Sequence, residues 1–177
     1  MSNGIVSIIG AGPGDPELIT LKGLRCIREC DALFYDQTVA DSLVAEAPDR
    51  VEKIPILETI TENPSLLEKL NADIVDRASE GKDVAVAAEG DPFIFGLGAE
   101  IARAAAAAGL HFVVIPGITS AIAAAAYAGI PLTYRGYSST MAFATGHTDL
   151  NKQYTDVDWD KVATGISTLV FFRSEEH

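Results

Sequence analysis

A short apolar strand that runs straight into a cluster of glycines, prolines and a carboxylate constrains this chain more than any other stretch. In Ile5 to Leu21, IVSIIGAGPGDPELITL, Val6, Ile8 and Ile9 are β-branched and apolar, the composition of a strand covered on both faces in a parallel sheet. Gly10, Gly12 and Gly14 let the backbone turn sharply and lie close to a ligand. Pro13 and Pro16 stiffen the turn, and Asp15 brings a carboxylate to its exit. A strand followed by G-x-G-x-G invites a dinucleotide reading, with a pyrophosphate at the N-terminus of a helix that starts at the third glycine. Asp15-Pro16 opposes it, because the pair puts negative charge where phosphates would sit and delays the helix to about Thr20. A purely structural turn and a loop that contacts some other ligand both stay open on these residues alone.

The same pattern recurs downstream. Thr20 to Cys30 reads as an amphipathic helix, with Leu21, Leu24 and Ile27 near one face. Asp31 to Asp36, DALFYD, reads as a second strand that ends in a carboxylate; Asp36 could share a ligand-binding rim with the first turn, or cap a helix from Thr38 onward. Arg50 to Pro55 is a third candidate strand. Asn63-Pro64-Ser65 starts a helix that runs through Leu66 to Glu80, and Asp83 to Ala88 is a buried strand that feeds Glu89-Gly90-Asp91-Pro92. An aromatic, glycine-rich segment, Phe93 to Gly98, leads to a helix from Glu100 to Ala108 and a strand from Phe112 to Ile115. Pro116-Gly117-Ile118-Thr119-Ser120 then feeds the helix Ala121 to Ala128, which Thr119 or Ser120 can cap. Gly129-Ile130-Pro131 breaks that helix and is a candidate hinge to a second domain. Thr140 to Thr145 and Ser167 to Phe172 read as strands on either side of a polar loop from Asn151 to Asp160.

Strand, helix, strand, helix in this order implies an α/β fold with a largely parallel sheet. Its N-terminal domain is placed at residues 1–117 and a second α/β domain at 118–177. Two strands, one helix and a loop are too little to cover a second sheet layer, so that domain is expected to be incomplete, through truncation, alteration or a naturally short C-terminus.

Composition narrows the function. Thirteen basic against 25 acidic residues give a net charge of −12, which opposes nucleic-acid binding and suits a cationic small molecule. No apolar run reaches a membrane span, and the N-terminus lacks the basic segment and apolar core of a secretory signal, so a cytoplasmic setting is the expectation. Cys26 and Cys30 sit four apart on one helix and read as packing residues; His111, His147 and His177 make no ligand-spaced cluster with them, so no metal is expected.

Four strings in order carry a more specific signal: GAGPGDPELITLKGLRCI from Gly10, Tyr35-Asp36 followed by Val39, GDPFIFG from Gly90, and PGITSAIAAAAYAGIPLTYRGY from Pro116, with Thr145-Gly146-His147 beyond. Together they span nearly the whole chain, and they resemble the tetrapyrrole methylase family, within it the branch that acts on uroporphyrinogen III. The resemblance implies an enzyme of two α/β domains, usually a homodimer, that holds S-adenosylmethionine in the cleft between them. Such an enzyme methylates ring carbons of a tetrapyrrole, uroporphyrinogen III or a precorrin-like relative, on the routes to sirohaem and cobalamin.

Matched residue by residue, Pro13, Gly90, Asp91, Ile94, Thr119 and Ser120 fall on cofactor positions, with Glu89 in place of a glycine. Asp36 falls on the position of a proton acceptor, while Gly12, Gly14, Asp15, Glu100 and Arg135 face the substrate side, with Lys22 a further candidate cation there. The chain departs from the pattern at Leu97, where an arginine is usual, at Glu58, where a lysine is usual, and at Arg173, where a methionine is usual. Those departures bear on the acceptor more than on the cofactor. The other readings are the same fold with a different acceptor, and a non-catalytic binding module. Methyl transfer from a sulfonium is an in-line displacement, so the protein's work is to align donor and acceptor and exclude water, with a carboxylate such as Asp36 taking or stabilising a proton.

Overall fold

The computed structural model describes residues 3–57, 60, 63–145 and 157–172; Glu58, His147, Arg173 and His177 lie outside them. By its contacts the chain divides into two compact units, Met1–Thr119 and Ser120–His177.

The first unit is a parallel five-stranded sheet. Its strands are β1 (Ile5–Gly10), β2 (Ala32–Asp36), β3 (Glu52–Ile56), β4 (Val84–Ala88) and β5 (His111–Ile115), in the order β3-β2-β4-β1-β5. Four helices connect them: α1 (Leu21–Glu29), α2 (Asp41–Ala45), α3 (Pro64–Ser79) and α4 (Gly98–Ala107). Alternation along the strands divides the core in two. Val6, Ile8, Phe34, Val84 and Val86 pack with Leu70 and Ile74 of α3 and Ile101 and Ala105 of α4. Ile9, Leu33, Ala85 and Ala87 pack with Ile27 of α1 and Leu43 of α2 on the opposite face. Each fully buried Ile, Leu or Phe contributes roughly 1.5–3 kcal/mol, whereas an exposed pair such as Arg28–Glu46, at 2.7 Å, adds at most about 1 kcal/mol. Apolar burial therefore holds this unit together.

Local chemistry sets where the helices begin. The Thr20 hydroxyl accepts the Gly23 amide at 3.0 Å and opens α1 at the expected place. Asn63 accepts the Ser65 and Leu66 amides ahead of Pro64, which opens α3. At the amino ends of the strands, the Asp31 carboxylate accepts the Asp83 amide and the Asp83 carboxylate accepts the Ile5 amide, each at 2.9 Å, linking β2, β4 and β1.

The second unit holds α5 (Ser120–Tyr127), β6 (Met141–Thr145), α6 (Trp159–Gly165) and β7 (Thr168–Phe172), with β6 and β7 paired in parallel. Three sequence expectations need correction. Gly129-Ile130-Pro131 is not the hinge: it lies inside the second unit, where the Gly129 and Ile130 amides close the end of α5 on Ala126 and Ala125. The polar stretch ending at Asp160 already contains a helix start, because Asp158 accepts the Lys161 amide at 3.3 Å and caps α6. Asp36 caps no helix. The next helix, α2, begins only at Asp41, and Ala40 ahead of it makes no side-chain cap.

Candidate functional site

In a parallel sheet every strand presents its carboxyl end to the same rim. Here β1 leaves toward the α1 and α2 layer, and β4, its neighbour, leaves toward the layer of α3 and α4. Adjacent strands whose exits diverge open a crevice at their carboxyl ends, the usual place for a ligand in an open α/β sheet. The glycine turn after β1 and the Glu89-Gly90-Asp91 turn after β4 meet there. Gly12 and Gly90 form an antiparallel bridge, with the Gly90 amide donating to Gly12 at 2.8 Å and the Gly12 amide to Gly90 at 3.2 Å.

A third turn closes on the same place. A Cβ built on Gly117 would come within 2.1 Å of the Gly90 carbonyl oxygen and 2.7 Å of the Gly10 Cα, contacts no side chain could relieve. The loops after β1, β4 and β5 thus pack backbone to backbone, which only glycine permits. Asp91 secures the arrangement: one carboxylate oxygen accepts the Phe93 amide at 2.9 Å and the other the Gly117 amide at 3.1 Å. Two residues after Gly117 comes Thr119, the one buried polar side chain among the described residues at 3% exposure.

The other sequence candidates distribute around this crossing. Pro13 and Ile94 are half-buried, and Gly14 is exposed with a positive φ of 119°. Glu89 is exposed, so the side chain standing in place of a glycine points out of the packed turn. Asp15 accepts the Glu17 amide at 2.9 Å and caps a single 3-10 turn, Pro16–Leu18, which accounts for the delayed helix. Asp36 ends β2 level with Ala88 of β4, which is itself paired with Gly10. Asp36 and Gly10 are therefore two strand spacings apart, roughly 10 Å. The Asp36 carboxylate is half-buried and takes, among the described residues, a long contact of 3.4 Å from the Thr38 amide.

Glu100 sits in the first turn of α4, where the helix dipole favours a carboxylate, and its Oε2 is buried without a hydrogen-bond partner. Leu97 packs against the apolar core below α4 and offers no polar group. Ser120 and Arg135 belong to the second unit. Ser120 lines a cavity of about 300 Å³ together with Ala121, Leu132, Val170, Phe171 and Phe172. Arg135 is exposed on a turn closed by Tyr134 and Ser138, where the rings of Tyr134 and Tyr137 pack against each other at 5.5 Å. Lys22 is exposed on α1 and forms no part of the crossing of the three turns.

Sequence reading missed one feature here. Phe95 carries a positive φ of 53°, the only non-glycine among the described residues to do so, and Phe93 and Phe95 are each more than half exposed. A bulky residue in that conformation costs roughly 1–2 kcal/mol. It persists because the loop is wound tightly, with the Gly98 amide donating to Pro92 at 2.9 Å. Two phenylalanines interleaved with glycine after a carboxylate turn were the available signal. Among the described residues, no group of three or more His, Cys, Asp or Glu could hold a metal ion, and no helix is long and apolar enough to cross a membrane.

Comparison with known proteins bears on the same turns. The family model for Tetrapyrrole (Corrin/Porphyrin) Methylases matches residues 6–176. The uroporphyrinogen-III C-methyltransferase of Priestia megaterium is 43% identical over 96% of this chain and 71% of its own length. The siroheme synthase of Photorhabdus laumondii is 43% identical over 96% of this chain but only 36% of its own length. Among solved structures, a cobalt precorrin-4 methyltransferase superposes with a TM-score of 0.82 at 30% identity, over 96% of this chain and 69% of that one. A uroporphyrin-III C-methyltransferase of Thermus thermophilus complexed with S-adenosyl homocysteine gives 0.76 at 32%, over 96% and 70%. With a parallel α/β sheet, three glycine turns crossing at its switch point and a family match along nearly its whole length, the chain belongs to the tetrapyrrole (corrin/porphyrin) methylases.

Proposed function

We propose that this chain is an S-adenosylmethionine-dependent C-methyltransferase that methylates ring carbons of a tetrapyrrole, uroporphyrinogen III or a precorrin-like relative. The observation that carries this reading is the crossing of the turns after β1, β4 and β5, which gathers Pro13, Gly90, Asp91, Ile94 and Thr119 on one rim with Asp36. The residues fit the cofactor. Glycine-lined backbone at Gly90 and Gly117 lets a flat or zwitterionic group lie against peptide amides and carbonyls. S-adenosylmethionine supplies a methyl group on a sulfonium, whose charge suits a chain of net −12.

The remaining work falls to this chain's own side chains. Asp36, whose carboxylate among the described residues takes a 3.4 Å contact from the Thr38 amide, accepts a proton from the acceptor ring or stabilises its positive charge. By the resemblance Glu100 and Arg135 belong to the substrate side, where a carboxylate accepts a pyrrole N–H and a guanidinium pairs with a substrate carboxylate. The rigid crossing holds donor and acceptor in line.

Calorimetry with S-adenosylmethionine or S-adenosyl homocysteine tests the cofactor, with binding expected and its absence fatal to the reading. Methyl transfer to uroporphyrinogen III, followed by absorbance and mass, tests the acceptor. Asp36→Asn is expected to lower that rate on the order of 100-fold with cofactor affinity unchanged; an unchanged rate removes the proton role. Leu97 favours a second reading, an acceptor with fewer carboxylates, because an apolar side chain packed on the core offers no cation there; parallel assays with several tetrapyrroles separate the two. A homodimer and a cytoplasmic setting complete the proposal, to be checked by light scattering and cell fractionation.

A further inference from the structure

Asp91 lies among the turns assigned to the cofactor, yet both of its carboxylate oxygens are engaged by the chain itself. Oδ1 accepts the Phe93 amide at 2.9 Å, which shapes the turn leaving β4. Oδ2 accepts the Gly117 amide at 3.1 Å, 26 residues away on the loop leaving β5. Phe93 and Gly117 thus converge on one side chain. The second bond is made where the two loops touch, since Gly117 sits against the Gly90 carbonyl and the Gly10 Cα with no room for even a methyl group. Backbone contact alone does not fix such a crossing, because two adjacent carbonyl-rich turns attract each other weakly. A charged acceptor shared between two amides is a far stronger tie, roughly twice a neutral hydrogen bond for each.

We propose that Asp91 is a positioning residue: its carboxylate fastens the Gly117–Thr119 turn to the Gly90 turn, so that the backbones of both meet S-adenosylmethionine as one preformed surface, and it makes no bond to the cofactor. The proposal rests on the cofactor reading above. It also explains why an acidic residue stands in the middle of a surface meant for a ligand with its own carboxylate. The Asp91 charge is spent on two amides and faces the protein, and the Gly90 turn is left to present backbone.

Two substitutions separate the functions of the carboxylate. Asp91→Asn keeps an acceptor for Phe93 but sets an amide NH2 against the Gly117 N–H, which breaks the tie. Asp91→Ser keeps a short hydroxyl that can accept the Phe93 amide but cannot reach Gly117. In both, S-adenosyl homocysteine affinity by calorimetry is expected to fall on the order of 10-fold or more. The KM for S-adenosylmethionine is expected to rise by a similar factor while the KM for the tetrapyrrole holds, and the Gly117 amide is expected to lose protection from hydrogen exchange. Glutamate at the site, Asp91→Glu, restores a charged acceptor and is expected to recover part of the affinity.

Weakened binding with Gly117 protection intact overturns the proposal in favour of direct contact, and so does cofactor affinity unchanged in both variants while Gly117 protection is lost. If the unsubstituted chain binds no cofactor, the functional reading falls and takes this proposal with it; wild-type binding that survives Asp91→Asn removes the proposal alone.

Discussion

Gly117 shows how little latitude single residues have at the crossing of the three turns. A methyl group there would meet backbone at 2.1 Å, so Gly117→Ala is expected to cost about 3 kcal/mol or more and to weaken cofactor binding together with stability, as read by urea unfolding and calorimetry. Cys30 carries a different liability. Burial, with the nearby charge of Asp31 adding to it, pushes its thiol up to about 11 from an ordinary value of 9.0. The folded chain therefore keeps a proton that the unfolded chain releases near pH 9, and the stability this contributes is whole below that pH and is lost as pH climbs toward 11. Cys30→Ala is expected to flatten the alkaline arm of the stability curve, and Cys26, which is less buried, to react first with a thiol reagent. Individual turns were legible in the sequence wherever the backbone demanded a particular residue, as at Gly90 or Asp15. The role of Asp91 was not, because its partner Gly117 is 26 residues away and only the sheet order brings the two together.

Among the elements, those with a clear stop or start were readable and those made by tertiary contact were not. Thr20 and Asn63 cap α1 and α3 where their side chains say they should. Thr20→Ala is expected to lower stability by about 1 kcal/mol in thermal or urea unfolding, the cost of an unsatisfied Gly23 amide at the start of α1. The five-residue helix α2 starts three residues after the Thr38 that the sequence suggested, because it has no side-chain cap and too few turns for a period to show where it begins. Its Leu43 is buried against the sheet, and that contact, not local propensity, makes it a helix. Strand direction was inferable from composition alone. Strand order was not, and with it went the crevice between β1 and β4, since a sequence shows which strands exist but not which are neighbours.

At the scale of the molecule the two units differ in how much they bury. All members of the two large apolar clusters come from residues before Thr119, whereas the described residues of the second unit contribute only Ala121, Ala123 and Ala144 to the buried set. Residues 1–119 produced alone are expected to unfold cooperatively by circular dichroism and to keep the crossing of the three turns, while residues 120–177 alone are expected to show no cooperative transition. A melt of the short form without a sigmoid would count against this division. The carboxylates of Asp31 and Asp83 tie β1, β2 and β4 together at the amino ends of the strands, the rim opposite the three crossing turns. That makes the sheet a chassis with one welded end and one end open to rewriting. Transplanting residues 93–96 of a relative that acts on another tetrapyrrole is therefore a route to a new acceptor preference, with the unfolding midpoint little changed because Phe93 and Phe95 are exposed and the buried Pro92 and core-packed Leu97 stay in place.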